Sequence, residues 1–297
     1  MAGKILLLIT ALIWGSTFIA QRIASDLIGP NSYNAVRFLM GAIVLLPIIY
    51  YFGDSTPRKK PWLPLPAISL LLGFFLFTGS SLQQYALIYT TASKAAFVTA
   101  LYIVMVPVFG LFLGHRLSYF ATAGMITAVI GAALLTLNGE DLTLNYGDAA
   151  LLISTFFWTG HILLLSDVTQ RYPNIKLACG QFLACAIIGA GPSLFIEHLQ
   201  FSQIEATIIP LLWGGVLSAG IAYTFQLLGQ RTVPPTEASL IMSLEMVFAA
   251  ILGYLILDET LTLKETCGVI LITCGVVLAQ LPYSRKYSFA PLRKRAN

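Results

Sequence analysis

Long apolar runs follow one another along the whole chain, each about the length of a bilayer-crossing helix and each closed by a short polar break. A helix needs about 20 apolar residues to cross the hydrocarbon core. The first half predicts spans at Ile5–Arg22, Asn34–Phe52, Pro66–Ile88, Ala92–Leu113 and Tyr119–Leu137. The second half predicts spans at Tyr146–Gln170, Leu177–Ile196, Thr207–Gly229, Thr236–Leu257 and Glu265–Leu281. The pattern is that of an all-α polytopic membrane protein with ten transmembrane helices. A β-barrel is excluded, because barrel strands alternate over short segments. Lys4 followed by an apolar stretch resembles a signal peptide, but the run continues to Ala20, longer than a usual signal core, and is kept as helix one.

A shift of 144 residues lays the chain on itself without a gap: Trp14 meets Trp158, Phe38 meets Phe182, Gly124 meets Gly268 and Gly131 meets Gly275. The predicted units are residues 1–140 and 141–282, five helices each, followed by a basic tail over 283–297. An odd number of helices per copy inserts the two copies with opposite orientation. Inverted repeats of this kind characterise secondary transporters, with the substrate site at the repeat interface near the midplane.

Composition agrees: mean hydropathy is +0.82, and only 10% of residues are charged, against roughly a quarter in soluble domains. Lys and Arg counts orient the chain. With the N-terminus in the cytoplasm, Lys4, Arg58, Lys59, Lys60, Arg116, Arg171, Lys176, Arg231 and the five basic residues of the tail fall on the cytoplasmic side, 13 of the 17. Both termini are then cytoplasmic, as an even helix count requires, and the expected location is the cell inner membrane. The net charge of +4 is accounted for by these positive-inside segments and calls for no nucleic acid.

The loops are too short to house a soluble domain, and no phosphate-binding glycine loop occurs. The four cysteines lie in apolar runs, two in helix seven and two in helix ten, with no Cys-x-x-Cys or Cys/His cluster, so neither a metal site nor a cofactor is expected. Gly124, Gly131, Gly268 and Gly275 put small residues on one face of helices five and ten, where backbones approach closely in lipid. Those helices are scaffold within the chain or face a second copy, making a homodimer a candidate assembly. Pro107 interrupts helix four and is the candidate hinge.

Polar and aromatic groups inside spans carry the functional signal, because intramembrane ionisable groups are costly. Glu245 lies near mid-depth of helix nine, and His161 lies mid-span in helix six, three residues after Trp158. Arg22 and Arg37 are read as lying closer to helix ends, where a long side chain reaches the interface. The remaining candidates are Trp14, Thr17 and Gln21 in helix one; Ser80, Gln83, Gln84 and Tyr85 in helix three; Tyr102 in helix four; and Tyr223 and Gln226 in helix eight. These groups predict a central amphipathic cavity able to stack on an apolar side chain or cover an ammonium. An imidazole titrates near neutrality, so His161 and Glu245 are also candidates for carrying a proton counter to substrate.

The five-plus-five repeat, Trp14-Gly15-Ser16, Arg37-Phe38, Leu244-Glu245 and the turn Asp258-Glu259-Thr260-Leu261-Thr262 resemble the EamA-type drug/metabolite transporter superfamily along essentially the full chain. Within it the chain looks most like ten-helix amino-acid exporters of the YddG type. The resemblance implies a carrier that moves small metabolites, often outward, by alternating access. Two positions depart from the family pattern. Met246 replaces the common proline after the helix-nine glutamate, which predicts a straighter helix nine, and His115 stands where glutamate is usual.

Phosphorylated substrates need basic groups at their site, and no basic residue is read as deep in a span. Export of neutral or aromatic amino acids is therefore the leading expectation, with hydrophobic organic cations second. An intramembrane enzyme acting through His161 and Glu245 leaves the repeat unexplained, and an open channel does not fit an aromatic-lined cavity.

Overall fold

Helix α1 (Ala2–Ser25) turns Ile5, Leu8 and Leu12 outward and buries Leu7, Ala11 and Phe18. Large apolar side chains on the outer face match a hydrocarbon surrounding rather than water. The computed structural model describes residues 1–90, 92–115, 117–136, 145–257, 262–281 and 288–289. Arg116, most of the turn before helix ten (258–261), and the tail apart from Ser288 and Phe289 lie outside the described residues.

After α1 come α2 (Pro30–Phe52), α3 (Leu65–Ala86), α4 (Ala92–Ala100), α5 (Tyr102–Phe112) and α6 (Tyr119–Thr136). The second half holds α7 (Tyr146–Val168), α8 (Asn174–Phe195), a short α9 (Phe201–Ala206), α10 (Ile208–Leu212), a π-helix (Trp213–Tyr223), α11 (Thr224–Gln230), α12 (Pro235–Met242), α13 (Glu245–Leu257) and α14 (Leu263–Ala279). Among the described residues, eight helical stretches are long and apolar enough to cross a bilayer, and Tyr119–Leu135 is a shorter apolar helix. The fold is that of a polytopic helical membrane protein. One departure from pure helix is a two-residue antiparallel pairing of β1 (Leu117–Ser118) with β2 (Ser288–Phe289).

Three of the predicted helices are not uniform. Helix four breaks at Leu101, between α4 and α5, and helix nine breaks at Ser243 and Leu244, between α12 and α13. The first break is a tight turn in which Leu101 N donates to Val98 O at 3.2 Å and Val104 N to Leu101 O at 3.0 Å. The second repeats this, with Leu244 N on Ile241 O at 3.2 Å and Met246 N on Ser243 O at 3.1 Å. Hydroxyls help divert these carbonyls: Thr155 Oγ1 donates to Val98 O at 3.0 Å and Ser243 Oγ to Leu240 O at 2.8 Å. Helix nine is thus interrupted without proline, contrary to the straighter helix expected from Met246. Pro107 sits inside α5, six residues past the break. Helix eight widens into the π-helix, whose Gly215 and Ala219 pack against α2.

Repeat-equivalent helices meet as antiparallel pairs. In α6 and α14, Gly124 sits against the Gly275 carbonyl and Gly131 against that of Gly268, leaving no room for a side chain at these positions. The small-residue face of helices five and ten is therefore used within one chain. In α2 and α8 the pairing is closed at both ends by carboxylates. Glu197, just past α8, accepts from the α2 amides of Asn31 at 3.0 Å and Ser32 at 2.7 Å. Asp54, just past α2, accepts from the α8 amides of Ile175 at 3.0 Å and Lys176 at 2.7 Å. Each carboxylate meets the positive end of a helix dipole. Between these ends, the repeat mates Phe38 and Phe182 stack with centroids 5.8 Å apart.

Among the described residues, the loops carrying most of the basic groups gather at one end. Arg58 and Lys59 amides donate to Gln170 O at 2.7 and 2.9 Å, Arg231 Nη2 to Thr56 O at 2.6 Å, and Lys59 and Arg171 both pair with Asp167. Lys4 pairs with Glu237 at this same end at 3.0 Å.

Candidate functional site

The cavity between the two halves is built at the helix breaks. Leu101 and Leu244 end the continuous helical path, so Tyr102 becomes the first residue of α5 and Glu245 the first of α13. Tyr102 Oη donates to Glu245 Oε1 at 3.0 Å, joining the two interrupted helices across the interior. A carboxylate in the first turn of α13 also lies at the positive end of that helix. Tyr102 and Glu245 are 3% and 4% exposed.

Around this bond lies a narrow cavity of about 40 Å³, well short of the roughly 300–1,000 Å³ usual for small-molecule sites, so a substrate fits only once the lining side chains move apart. Helix α1 contributes Trp14, Thr17, Phe18 and Gln21, spaced so that one face looks inward. The other sides come from Arg37, Gln83, Thr99, Trp158, Ile162, Ser218, Tyr223 and Gln226. Tyr223 is the aromatic hub: its ring lies 4.7 Å from Trp14 and is stacked at 6.2 Å on Trp158. Trp158 finds its place because Gly79, opposite it, carries no side chain.

A polar chain runs along one edge. Trp158 Nε1 donates to Gln83 Oε1 at 3.1 Å, Gln83 Nε2 to Gln21 Oε1 at 3.4 Å, and Gln84 Nε2 to the Gln21 carbonyl at 2.9 Å. Four buried polar atoms of lining residues have no hydrogen-bond partner among the described residues: Trp14 Nε1, Gln21 Nε2, Thr99 Oγ1 and Gln226 Oε1. Buried polar groups are nearly always satisfied, so these are two donors, an acceptor and a hydroxyl offered to whatever enters.

Of the residues singled out from the sequence, Trp14, Thr17, Gln21, Gln83, Tyr102, Trp158, Tyr223, Gln226 and Glu245 are brought together here. Four are placed elsewhere. Ser80 Oγ donates to the Phe77 carbonyl of its own helix at 3.1 Å. Gln84 braces Gln21 from behind. Tyr85 is 38% exposed and lies 5.1 Å from the Tyr89 ring. His161, fully buried, stands behind Trp158 and Tyr223 with its rings edge-on at 6.4 and 6.5 Å, and Nε2 meets Gln181 Oε1 at 2.9 Å. Of the two candidate proton carriers, only Glu245 reaches the cavity wall.

Phe18, Arg37, Thr99, Ile162 and Ser218 line the cavity without being marked for it by the sequence pattern. Phe18 and Ile162 were within reach, since each lies four residues past Trp14 or Trp158 and so on the same helix face. Arg37 corrects an expectation. It lies two turns into α2 and is only 2% exposed, so a basic group does sit deep in the protein and on the cavity wall. Ser218 arrives through the π-helix, which no local pattern announces.

A second cavity opens at the basic end, lined by His115, Pro234, Thr236, Glu237 and Ala279 among others. Burial holds the His115 imidazole below its ordinary range.

Comparison with known proteins places this architecture. The model of the EamA-like transporter family matches twice, over residues 1–137 and 145–281. The chain belongs to the EamA-like transporter family. It is therefore a membrane transporter, and each match of the family model covers one half of the chain. An uncharacterized transporter of Archaeoglobus fulgidus is 29% identical over 93% of this chain and 84% of its own length. The uncharacterized inner membrane transporter YicL of Salmonella typhimurium is 23% identical over 96% and 97%. A crystal structure shares the fold at a TM-score of 0.77, with 19% identity over 94% of this chain and 96% of that one.

Proposed function

We propose that this EamA-like transporter exports amino acids, neutral and aromatic ones foremost, across the inner membrane by alternating access through the central cavity. The carrying observation is the cavity's make-up: the rings of Trp14, Phe18, Tyr102, Trp158 and Tyr223 beside one carboxylate, Glu245, and several unpartnered polar atoms. Such a wall accepts an apolar side chain and an ammonium together. In this reading the chain crosses the membrane ten times as two inverted five-helix repeats, with both termini cytoplasmic. The antiparallel pairs α2–α8 and α6–α14, and the gathering of basic loops at one end, support that topology.

Glu245 also suits an organic cation, which makes a hydrophobic-cation exporter the second reading. A competition panel of amino acids and organic cations in proteoliposomes separates the two, repeated with Trp158→Ala. Amino acids are expected to compete in the parent protein, and Trp158→Ala is expected to weaken them about tenfold or more, as loss of a buried aromatic contact does. Unchanged transport by Trp158→Ala removes the cavity from the mechanism. Glu245 is the proposed proton carrier in any coupling; a Glu245→Gln protein that keeps full dependence on a proton gradient ends that role.

A further inference from the structure

Arg37 lies in this cavity as a cation held ready for an anion. Its Nε donates to Asn34 Oδ1 at 2.8 Å, and Asn34 is itself fixed by bonds from Nδ2 to the Pro30 carbonyl at 2.9 Å and to Ser81 Oγ at 3.2 Å. The guanidinium carbon lies 4.7 Å from the Phe38 ring centroid and 5.3 Å from that of Tyr33. Those contacts hold the group in place, and Tyr33 also takes a side-chain hydrogen bond from it. They leave the terminal nitrogens, the edge that binds carboxylates in a two-point fork, without a carboxylate partner among the described residues.

The other charge in the cavity wall is Glu245. One of its oxygens takes the Tyr102 hydroxyl, and it too has no ion pair among the described residues. A buried, unpaired guanidinium and a buried, unpaired carboxylate in one cavity are each expensive alone. A single ligand carrying both signs satisfies both. A simple cation satisfies Glu245 and leaves Arg37 opposed, while a phosphate dianion overcompensates one arginine and meets the repulsion of Glu245.

We infer that Arg37 is the carboxylate-recognising residue of the central cavity, so that the site takes zwitterions in preference to organic cations. This rests on the amino-acid reading above and narrows it. The substrate carboxylate sits on the Arg37 fork, and its ammonium lies toward Glu245 and the faces of Trp14, Trp158 and Tyr223.

The experiment is binding to the purified full chain in nanodiscs. The standard L-amino acids are screened first, and the tightest binder is then compared with its own methyl ester and with the amine lacking the carboxyl group. The parent protein is expected to bind the amino acid about tenfold to a hundredfold more tightly than either, the range for one charge-assisted pair. Arg37→Gln is expected to erase that difference without weakening the ester, which loses an opposing charge, and Arg37→Lys to restore it in part. Equal affinity of the parent protein for amino acid and ester overturns the role of Arg37 and leaves amino-acid export standing. Binding of amines with no amino acid bound overturns both. Loss of amino acid and ester together in a folded Arg37→Gln protein assigns Arg37 to packing and also overturns the inference. The ester comparison uses the unmodified chain, so it decides the role of Arg37 even if Arg37→Gln fails to fold.

Discussion

Tyr102 and Glu245 each begin a half-helix, and the 3.0 Å hydrogen bond between them ties the second part of helix four to the second part of helix nine. Removing the hydroxyl leaves a buried carboxylate oxygen without its donor, at a cost of about 1–3 kcal/mol. Tyr102→Phe is expected to slow counterflow in proteoliposomes by roughly tenfold, a change of about 1.4 kcal/mol, while the protein still elutes as a folded species. Glu245→Gln keeps an oxygen for Tyr102 but removes the charge, so it is expected to reduce transport at least as much with a smaller loss of thermal stability. Full activity in Tyr102→Phe counts against the link between the two breaks.

The glycine seam makes a prediction about stability rather than transport. At Gly131 a Cβ would stand 2.7 Å from the Gly268 carbonyl oxygen and 2.7 Å from the Ile272 nitrogen, both backbone atoms that cannot step aside. Gly131→Val is expected to lower the unfolding free energy by about 1–3 kcal/mol, the usual range for overpacking, seen as a lower melting temperature in detergent. Gly191, in α8, has open space where a Cβ would go. Gly191→Ala is expected to be neutral or mildly stabilising, since alanine favours helix by about 1 kcal/mol. Equal melting temperatures for the two variants refute the seam.

The terminal carboxylates supply a third test. Glu197→Ala strips two amides of α2 of their acceptor, and Asp54→Ala does the same for α8. Each is expected to cost about 1–2 kcal/mol, in the range of lost helix caps. The two sites lie at opposite ends of their helices, so the double variant is expected to show the sum. A double variant no less stable than either single one contradicts independent caps.

The apolar runs make the helices legible because the bilayer imposes its thickness on sequence, and the 144-residue offset is visible because glycines and aromatics at contacts tolerate little change. What escapes the sequence is three-dimensional in origin. At the break at Leu101, Thr155 donates to the Val98 carbonyl from another helix, and nothing near Leu101 in sequence records that. His161 and Trp158 are three residues apart, yet Trp158 lines the cavity and His161 turns toward Gln181, a division set by the neighbouring α8. Position alone puts Arg37 near a helix end, whereas Asn34, Tyr33 and Phe38 hold its side chain inward.

The crossed carboxylates of α2 and α8 limit how the molecule can change shape. Glu197 holds α2 at one end and Asp54 holds α8 at the other, so a lengthwise slide in either direction pulls both acceptors off their amides at once. A ratchet of one helix past the other by a turn of about 5.4 Å is therefore opposed at both ends of this pair. In the proposed alternating-access cycle the two helices are then expected to travel as a single shaft, with opening to one side or the other falling to the elements around it, the broken helices four and nine first among them.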